Sequence, residues 1–582
     1  MLRRIFYRDA PEAHDFMLAQ RSGFHPFPPL HVKDVGSVDL DRVAALQVCH
    51  PETKHFFQRQ RRWVEDVATY EELFARDVVG SRARSTTPKF KFPCADIETM
   101  TGRKFDISDS PPTAYCAGWP RVEKEGARRR PLFEPFINDN FRRNVDGAQD
   151  DLERMHQSSA ARVREQSARR RFAVLFDFAA WYDQILLSPA VRRFFGIRLP
   201  DGRVGTLRAI PMGFRPSCAV AQAITWMLVD FLDTGKYAGR IEVATCIDNV
   251  RFVGDDKALL REAAEEFVRR CNYVGATLNE YSLEPVQEYD FLGVHYNHTT
   301  GTRALAMKSV NKLGMALEVL AIPGAVTRRQ IAAVFGIAFY AADVLRSPLT
   351  TPALHYDSLR FYRKVMTCCK ERAATDDLGV FWDEKVVVPI HVKTDTALWI
   401  QELARNVPVP AGDPTTGLSK YDLVLVTDAS EDGWGAMSWS PGKGTIEFAH
   451  GVWSATDQLH ALCRSTVSEP LGVLRALRRF VSRAVRRVLL LTDHSGLTYA
   501  VNAGFGRSEA YNSVMSQVAL EYPWLGIEAA HIPGVDNPVD GISRGASALG
   551  ADALRVVVLH CARLQALQEQ EAAAAVGHGW MV

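Results

Sequence analysis

Six carboxylates in this chain stand where catalytic chemistry is commonly done. Asp177 follows the apolar run Ala173-Val174-Leu175-Phe176, and Asp248 follows Val243-Ala244-Thr245-Cys246-Ile247. Asp428 and Asp493 end two further runs, Leu423 to Thr427 and Val488 to Thr492. Glu469 falls in the first turn of a helical pattern from Thr466 to Ala484, and Asp540 sits in a turn-rich stretch between His531 and Arg544. Buried strands that end in acids bring carboxylates to the edge of a sheet, where a rigid frame meets solvent. Carboxylates that meet there can hold a pair of divalent cations. Such a pair activates an attacking hydroxyl or water and steadies the departing oxygen or pyrophosphate. Taken singly, each acid has a plainer reading. An Asp after a strand commonly opens a turn or caps a helix, and a Glu in a first helical turn is stabilised by the helix dipole.

The elements that must hold these acids alternate along the chain. Strand-like and helical patterns interchange from about 101 to 300, with a helix-like stretch over Ala219 to Leu232 and an amphipathic helix over Ala258 to Tyr273. Residues 301–415 read mainly helical, broken late by prolines, and a fresh α/β pattern begins near Tyr421. After about 546 the chain is Ala-rich and helical. The fold class expected is α/β and α+β, in several domains. The 582 residues, 47% apolar and 24% charged, allow about three to five domains and exclude wholesale disorder. A net charge of +2 excludes a uniformly basic surface. It still leaves local basic runs, at Arg121–Arg130, Arg162–Arg171 and Arg475–Arg487. The longest uncharged apolar run, Ile331 to Ala342, is too short to span a bilayer, so no membrane partner is expected. The ten cysteines form no CxxC pair, which points to a reducing compartment without structural zinc. The opening Met1-Leu2-Arg3-Arg4-Ile5-Phe6 has a faint mitochondrial presequence character that Asp9, Glu12 and Asp15 oppose, so cytoplasm or nucleus is expected.

The surroundings of the first two acids resemble reverse transcriptases. Phe176-Asp177-Phe178-Ala179-Ala180-Trp181-Tyr182 resembles their first palm motif, and Pro211-Met212-Gly213-Phe214-Arg215-Pro216-Ser217 through Gln222 the second. Cys246-Ile247-Asp248-Asn249-Val250 resembles the Tyr-x-Asp-Asp hairpin, Gly275-Ala276-Thr277-Leu278-Asn279 the fourth motif, and Phe291-Leu292-Gly293-Val294 the primer grip. Five motifs in family order are far more specific than any one acid. The resemblance implies a right-hand polymerase of fingers, palm and thumb. Asp177 and Asp248 would be the metal ligands, with Met212, Gly213 and Asn249 lining the substrate site. It makes Val122 to Asn138 a fingers hairpin, in which Lys124 and either Arg129 or Arg130 grip the triphosphate. Tyr182 would be the aromatic gate that favours deoxynucleotides. Two positions depart from the family: Asn249 stands where a second Asp is usual, and Glu280-Tyr281-Ser282-Leu283 supplies no Lys after the fourth motif.

The later acids, in the order Asp428, Glu469, Asp493, Asp540, resemble the Asp-Glu-Asp-Asp set of ribonuclease H fused to retroelement reverse transcriptases. The run His531-Ile532-Pro533-Gly534 followed by Asp540-Gly541-Ile542-Ser543-Arg544 carries the most specific part of that likeness. It implies two Mg²⁺ per active site, with Mn²⁺ as a substitute, and a mobile-loop His531 that helps product leave. The arginines from Arg475 to Arg487 read either as a phosphate-tracking face for an RNA–DNA hybrid or as a solvated helix face. Asp233-Thr234-Gly235 spells an aspartic-protease triplet, but its helical surroundings make it a coincidence. The expected order is therefore an extension of unassigned function (1–100), fingers and palm (101–300), a helical thumb and connection (301–415), ribonuclease H (416–546) and a helical tail (547–582). The expected partners are RNA template, DNA primer, RNA–DNA hybrid and deoxynucleoside triphosphates. The element type resembled is long-terminal-repeat or DIRS-like, including the VIPER kind. The alternative is a decayed or domesticated copy that binds RNA or hybrid without polymerase activity.

Overall fold

The computed structural model describes residues 30–123, 128–141, 158–346, 352–372, 382–412, 421–455, 465–506, 508–546 and 550–577. The chain divides into two compact units, Met1–Leu292 with Ala575–Val582, and Gly293–Ala574. Both are mixtures of helix and strand. Among the described residues, no helix is long and apolar enough to cross a membrane.

The first unit is organised by a three-stranded antiparallel sheet, β1 (Phe172–Asp177), β2 (Ile241–Cys246) and β3 (Asn249–Gly254), in the order β1–β3–β2. Their Phe, Val and Ile residues suit a pleated, buried surface. Helices α1 (Ser217–Val229) and α2 (Lys257–Val274) join them in one core. Nearly every side chain of α1 is buried, the polar Ser217, Gln222 and Thr225 among them, as expected of a helix with apolar residues on every side. In α2 the buried residues Leu259, Leu260, Ala263, Ala264, Phe267, Cys271 and Val274 recur at helical spacing, so only one face is covered. Asp256 caps its first turn and Gly275, at φ +79°, ends it. Phe176 on β1 meets Phe267 on α2 with ring centroids 4.7 Å apart. The helix Pro51–Glu65, from the stretch expected to be an extension, sends Phe56, Phe57, Trp63 and Val64 into this same core. Phe56 lies 5.1 Å from Trp226 on α1. A long hairpin, Cys116–Glu123 with Arg128–Pro135, completes the frame of the site.

The second unit opens with the paired antiparallel strands Val294–Asn297 and Thr302–Leu305, followed by helices Met307–Ala321, Arg328–Leu345, Tyr356–Arg372 and Ile390–Ala404. It continues as a five-stranded sheet of β4 (Leu423–Ala429), β5 (Gly433–Ser440), β6 (Thr445–Val452), β7 (Arg487–Thr492) and β8 (Gly526–His531), ordered β6–β5–β4–β7–β8. Strands β4, β7 and β8 run parallel, whereas β5 and β6 are antiparallel neighbours. The apolar run of β4 is continuous because both sheet faces are covered. Leu423 and Leu425 face helices α3 (Ser465–Phe480), α4 (Ser495–Ala503) and α5 (Glu509–Glu521). Val424 and Val426 face Ala553, Val557 and Cys561 of the helix Gly550–Gly577. The stretch expected to be a tail is therefore the layer that closes the second face.

Candidate active sites

In the first unit, Asp177 is the last residue of β1, and the β1–β3 register sets it opposite Asn249. Asp248 occupies the turn between β2 and β3, and its carbonyl accepts from Phe178 N at 2.9 Å. The two acids therefore emerge at one sheet end. The turn is held from α1. Gln222 Oε1 accepts from Ile247 N at 2.7 Å, and Thr225 Oγ1 donates to Ile247 O at 2.7 Å. These bonds support a β-branched residue at φ +60°, a conformation it rarely adopts unaided. Burial and the nearby Asp177 charge raise the pKa of Asp248, while its own backbone N–H, the Asn249 amide and Arg130 pull it down. Asn249 Nδ2 donates to Asp248 Oδ1 at 2.9 Å. Asn279 Nδ2 donates to Asp177 Oδ2 at 2.5 Å, and Asn279 N to Asp177 O at 2.8 Å.

The two arginines left open by the sequence separate cleanly. Side chains alternate across a strand, and Arg129 is the buried one. Its guanidinium makes a fork on Asp96, at 2.6 and 2.9 Å. Arg130 is on the opposite face, with Nη1 3.8 Å from Met212 Sδ and its charge acting on Asp248. Lys124 lies outside the described residues. Gly213 is clamped against the hairpin. A Cβ there would come within 2.3 Å of Phe133 O, and Asn138 Nδ2 donates to Gly213 O at 2.7 Å. Tyr182 follows a left-handed Ala180 (φ +45°) in a short 3₁₀ turn, and its hydroxyl lies 3.2 Å from Cys218 Sγ. Phe291 is buried beneath the fully buried Arg251, whose guanidinium is 5.1 Å from its ring. Leu292 is exposed at φ +51°, and Gly293 (φ +87°) begins the second unit. Asp233 of the rejected triplet is engaged by His50 Nε2 at 2.9 Å.

In the second unit, parallel pairing of β4 and β7 brings Asp428 and Asp493 to one sheet edge, and α3 adds Glu469. One carboxylate oxygen from each of the three lies within 4.8 Å of the others. Glu469 is 6% exposed and its Oε2 has no hydrogen-bond partner. Burial, then the Asp428 and Asp493 charges, push its pKa up to about 8. Burial raises Asp428 as well, opposed first by the hydroxyl of Ser543, which donates to Oδ2 at 2.6 Å. Asp540 stands apart from the trio. Its charge still reaches Asp428, and its Oδ1 accepts from Arg544 at 2.9 Å. His531 was expected on a mobile loop. It is instead the last residue of β8, with Nε2 3.1 Å from Asp493 O and its carbonyl 2.9 Å from His560 Nε2. Of the arginines on α3, Arg478 is engaged by Glu521 at 2.9 Å. Three carboxylates this close, one of them with an orphaned buried oxygen, can hold a metal ion.

Several residues that shape these sites drew no role from the sequence: Lys33, Asp96, Asn138, Arg251 and Asn279. Only Asn138 and Asn279 fell within quoted motifs; the others are brought in by tertiary contact alone.

No family model matches the chain. The chain is similar to the enzymatic polyprotein of cauliflower mosaic virus (strain Strasbourg), 22% identical over an alignment of 376 residues, which covers 62% of this chain and 48% of the viral one. It thus spans about half the length of that curated relative. Among solved structures, a foamy viral protease–reverse transcriptase in complex with double-stranded DNA aligns over 86% of this chain and 99% of its own, with a TM-score of 0.39 and 12% identity. A second foamy viral protease–reverse transcriptase complex with double-stranded DNA covers 88% of this chain and 84% of its own, with a TM-score of 0.40 and 12% identity.

Proposed function

We propose that this chain is a retroelement enzyme with two active sites. The first copies RNA into DNA, and the second degrades the RNA strand of the resulting hybrid. The observation that carries this reading is the coexistence of two separate acidic sites, each built at the end of its own sheet: Asp177 with Asp248, and Asp428 with Glu469 and Asp493. Carboxylate oxygens are the donors that hard divalent ions take, which fits Mg²⁺ with Mn²⁺ as its substitute. When bound, such ions lower the pKa of an attacking hydroxyl or water and offset charge on the departing group.

The protein's own residues do the rest. In the first site Arg130, whose charge acts on Asp248, binds the triphosphate, whereas Arg129 holds the hairpin to Asp96. Lys124, outside the described residues, is assigned to the same grip on the resemblance alone. Gly213 lets the second-motif loop lie flat against the hairpin, and Met212 borders the nucleotide. Tyr182 excludes a ribose 2′ hydroxyl, and Phe291, Leu292 and Gly293 position the primer. In the second site Asp540 completes the acidic set, and His531 lies beside Asp493 to assist product release. The two units then correspond to fingers and palm in the first, and to thumb, connection and ribonuclease H in the second.

Primer extension on poly(rA)/oligo(dT) with Mg²⁺ tests the polymerase half, and cleavage of a labelled RNA–DNA hybrid tests the other. A second reading, a decayed copy that only binds hybrid, draws on one observation: Asn249 places an amide on Asp248 where a carboxylate is usual. Wild-type protein that cleaves hybrid and extends no primer would favour it.

A further inference from the structure

The amino-terminal segment 30–39 crosses the first site, and the proposed function makes no use of it. Leu30 bridges to Arg129 of the hairpin, and His31 N donates to Arg129 O at 2.6 Å. At its other end Gly36 N donates to Thr277 Oγ1 at 3.2 Å, Val38 N to Gln184 O at 2.8 Å, and Asp39 N to Val274 O at 2.8 Å. The approach is close: a Cβ on Gly275, already at φ +79°, would stand 2.6 Å from Ser37 O. Between these anchors Lys33 Nζ donates to Asn279 Oδ1 at 2.5 Å, and Asn279 Nδ2 donates to Asp177 Oδ2 at 2.5 Å.

The chemistry of the three groups fixes their order. An ammonium carries only donors and an ionised carboxylate only acceptors. The amide between them must turn its oxygen to Lys33 and its nitrogen to Asp177. With its main chain also pinned by the bond from Asn279 N to Asp177 O at 2.8 Å, Asn279 has one arrangement that satisfies both neighbours. We propose that Lys33 is a positioning residue of the first site, acting through Asn279 to hold the Asp177 carboxylate in the orientation that receives a divalent cation. The segment 30–39 is then part of the catalytic apparatus, supplied from 246 positions away in sequence. This rests on the reading of Asp177 as a metal ligand. Groups that orient a ligand commonly alter metal affinity by about ten- to a hundredfold when removed.

The test uses the full chain with Asp428→Asn to weaken the second site, Tb³⁺ as the probe and Trp181 as the sensitising chromophore, with Asp177→Ala as the blank. Lys33→Met is expected to weaken Tb³⁺ binding about tenfold. Lys33→Arg, which keeps a donor-only cation, should recover most of that loss. Asn279→Ala removes the middle member and should reproduce the loss, which keeps the inference testable if Lys33→Met folds poorly. Unchanged Tb³⁺ affinity in a folded Lys33→Met or Asn279→Ala chain overturns it, as does a loss that Lys33→Arg fails to recover. Primer extension separates this from the reading beneath it. Lys33-dependent Tb³⁺ binding in a chain that extends no primer upholds the relay and overturns the polymerase assignment.

Discussion

The two acidic sites solve the same electrostatic problem differently. In the first, protein groups already offset much of the charge. Asn249 and Asn279 donate to the two carboxylates, and Arg130 acts on Asp248. In the second, three carboxylates share a small volume, and Glu469 is buried with one oxygen unpartnered. Ser543 and Arg544 compensate Asp428 only in part, since its pKa stays raised. A site furnished with amides and a cation keeps its geometry without a metal. A site of crowded, buried carboxylates stores repulsion that a divalent ion relieves. The second site should therefore respond more strongly to metal and pH, and the first to loss of its supporting residues.

The largest test breaks the two apart. Asp177→Ala should lower primer extension at least about a thousandfold while leaving hybrid cleavage near wild type, and Asp428→Asn should do the reverse. Parallel loss of both activities would mean the sites are not independent. The hairpin arginines sharpen the contrast within the first site. Arg129→Ala leaves Asp96 buried and unpaired, so it should cost about 3–5 kcal/mol of stability, read by denaturant unfolding. Arg130→Ala should leave stability unchanged and raise KM for the deoxynucleotide. Exchange of those outcomes would reverse the assignment of the two side chains.

The next effect belongs to the second site and follows from Glu469. Its pKa is raised in the folded chain to about 8 from an ordinary 4.5. The folded state therefore holds a proton that the unfolded state has released, and the associated stability is fully present below pH 4.5. That stability is lost as pH rises through about 8. In EDTA the melting temperature of the unit carrying Glu469 should fall across that window, and Mg²⁺ should restore it by taking the proton's place. Glu469→Gln should flatten the dependence. A pH-independent melting curve for the wild-type chain in EDTA would remove the crowded-carboxylate account.

How much of this was legible in the sequence divides along the same line. The four acids that end or follow strands were readable because an apolar run and its last polar residue are local features. Their convergence on sheet ends follows from strand pairing, as Asp428 and Asp493 show through parallel β4 and β7. Support from a distance was not readable. Lys33 reaches Asn279, and Asp96 neutralises Arg129, through contacts that no local pattern records. The choice between Arg129 and Arg130 needed one fact, which strand face is buried, and three consecutive arginines conceal it. The covering role of helix Gly550–Gly577 was hidden for a related reason. An Ala-rich helix looks alike whether it trails or packs, until Val557 and Cys561 are seen against Val424 and Val426.

Two smaller effects probe the polar furnishing of the first site. Tyr182→Ala removes a ring held by the turn after Ala180, so discrimination against ribonucleotides should fall about a hundredfold in single-nucleotide incorporation. Unchanged sugar selectivity would end its assignment as the gate.

The smallest effect bears most directly on why the sites differ. Asn249 donates to Asp248 Oδ1 at 2.9 Å and lies opposite Asp177 in the ladder. Asn249→Asp removes a donor and adds a like charge next to a carboxylate whose pKa burial and Asp177 already raise. The substitution should make the first site behave more like the second. Primer extension at saturating Mg²⁺ should be preserved or raised, within about tenfold, because a bound ion gains a charged ligand. Synthesis should also become more sensitive to low pH and to limiting Mg²⁺, since protons now compete for a more crowded set of acids. A sharp loss at saturating Mg²⁺ would show that the Asn249 amide is required to orient Asp248, and that the first site depends on its neutral supports rather than merely tolerating them.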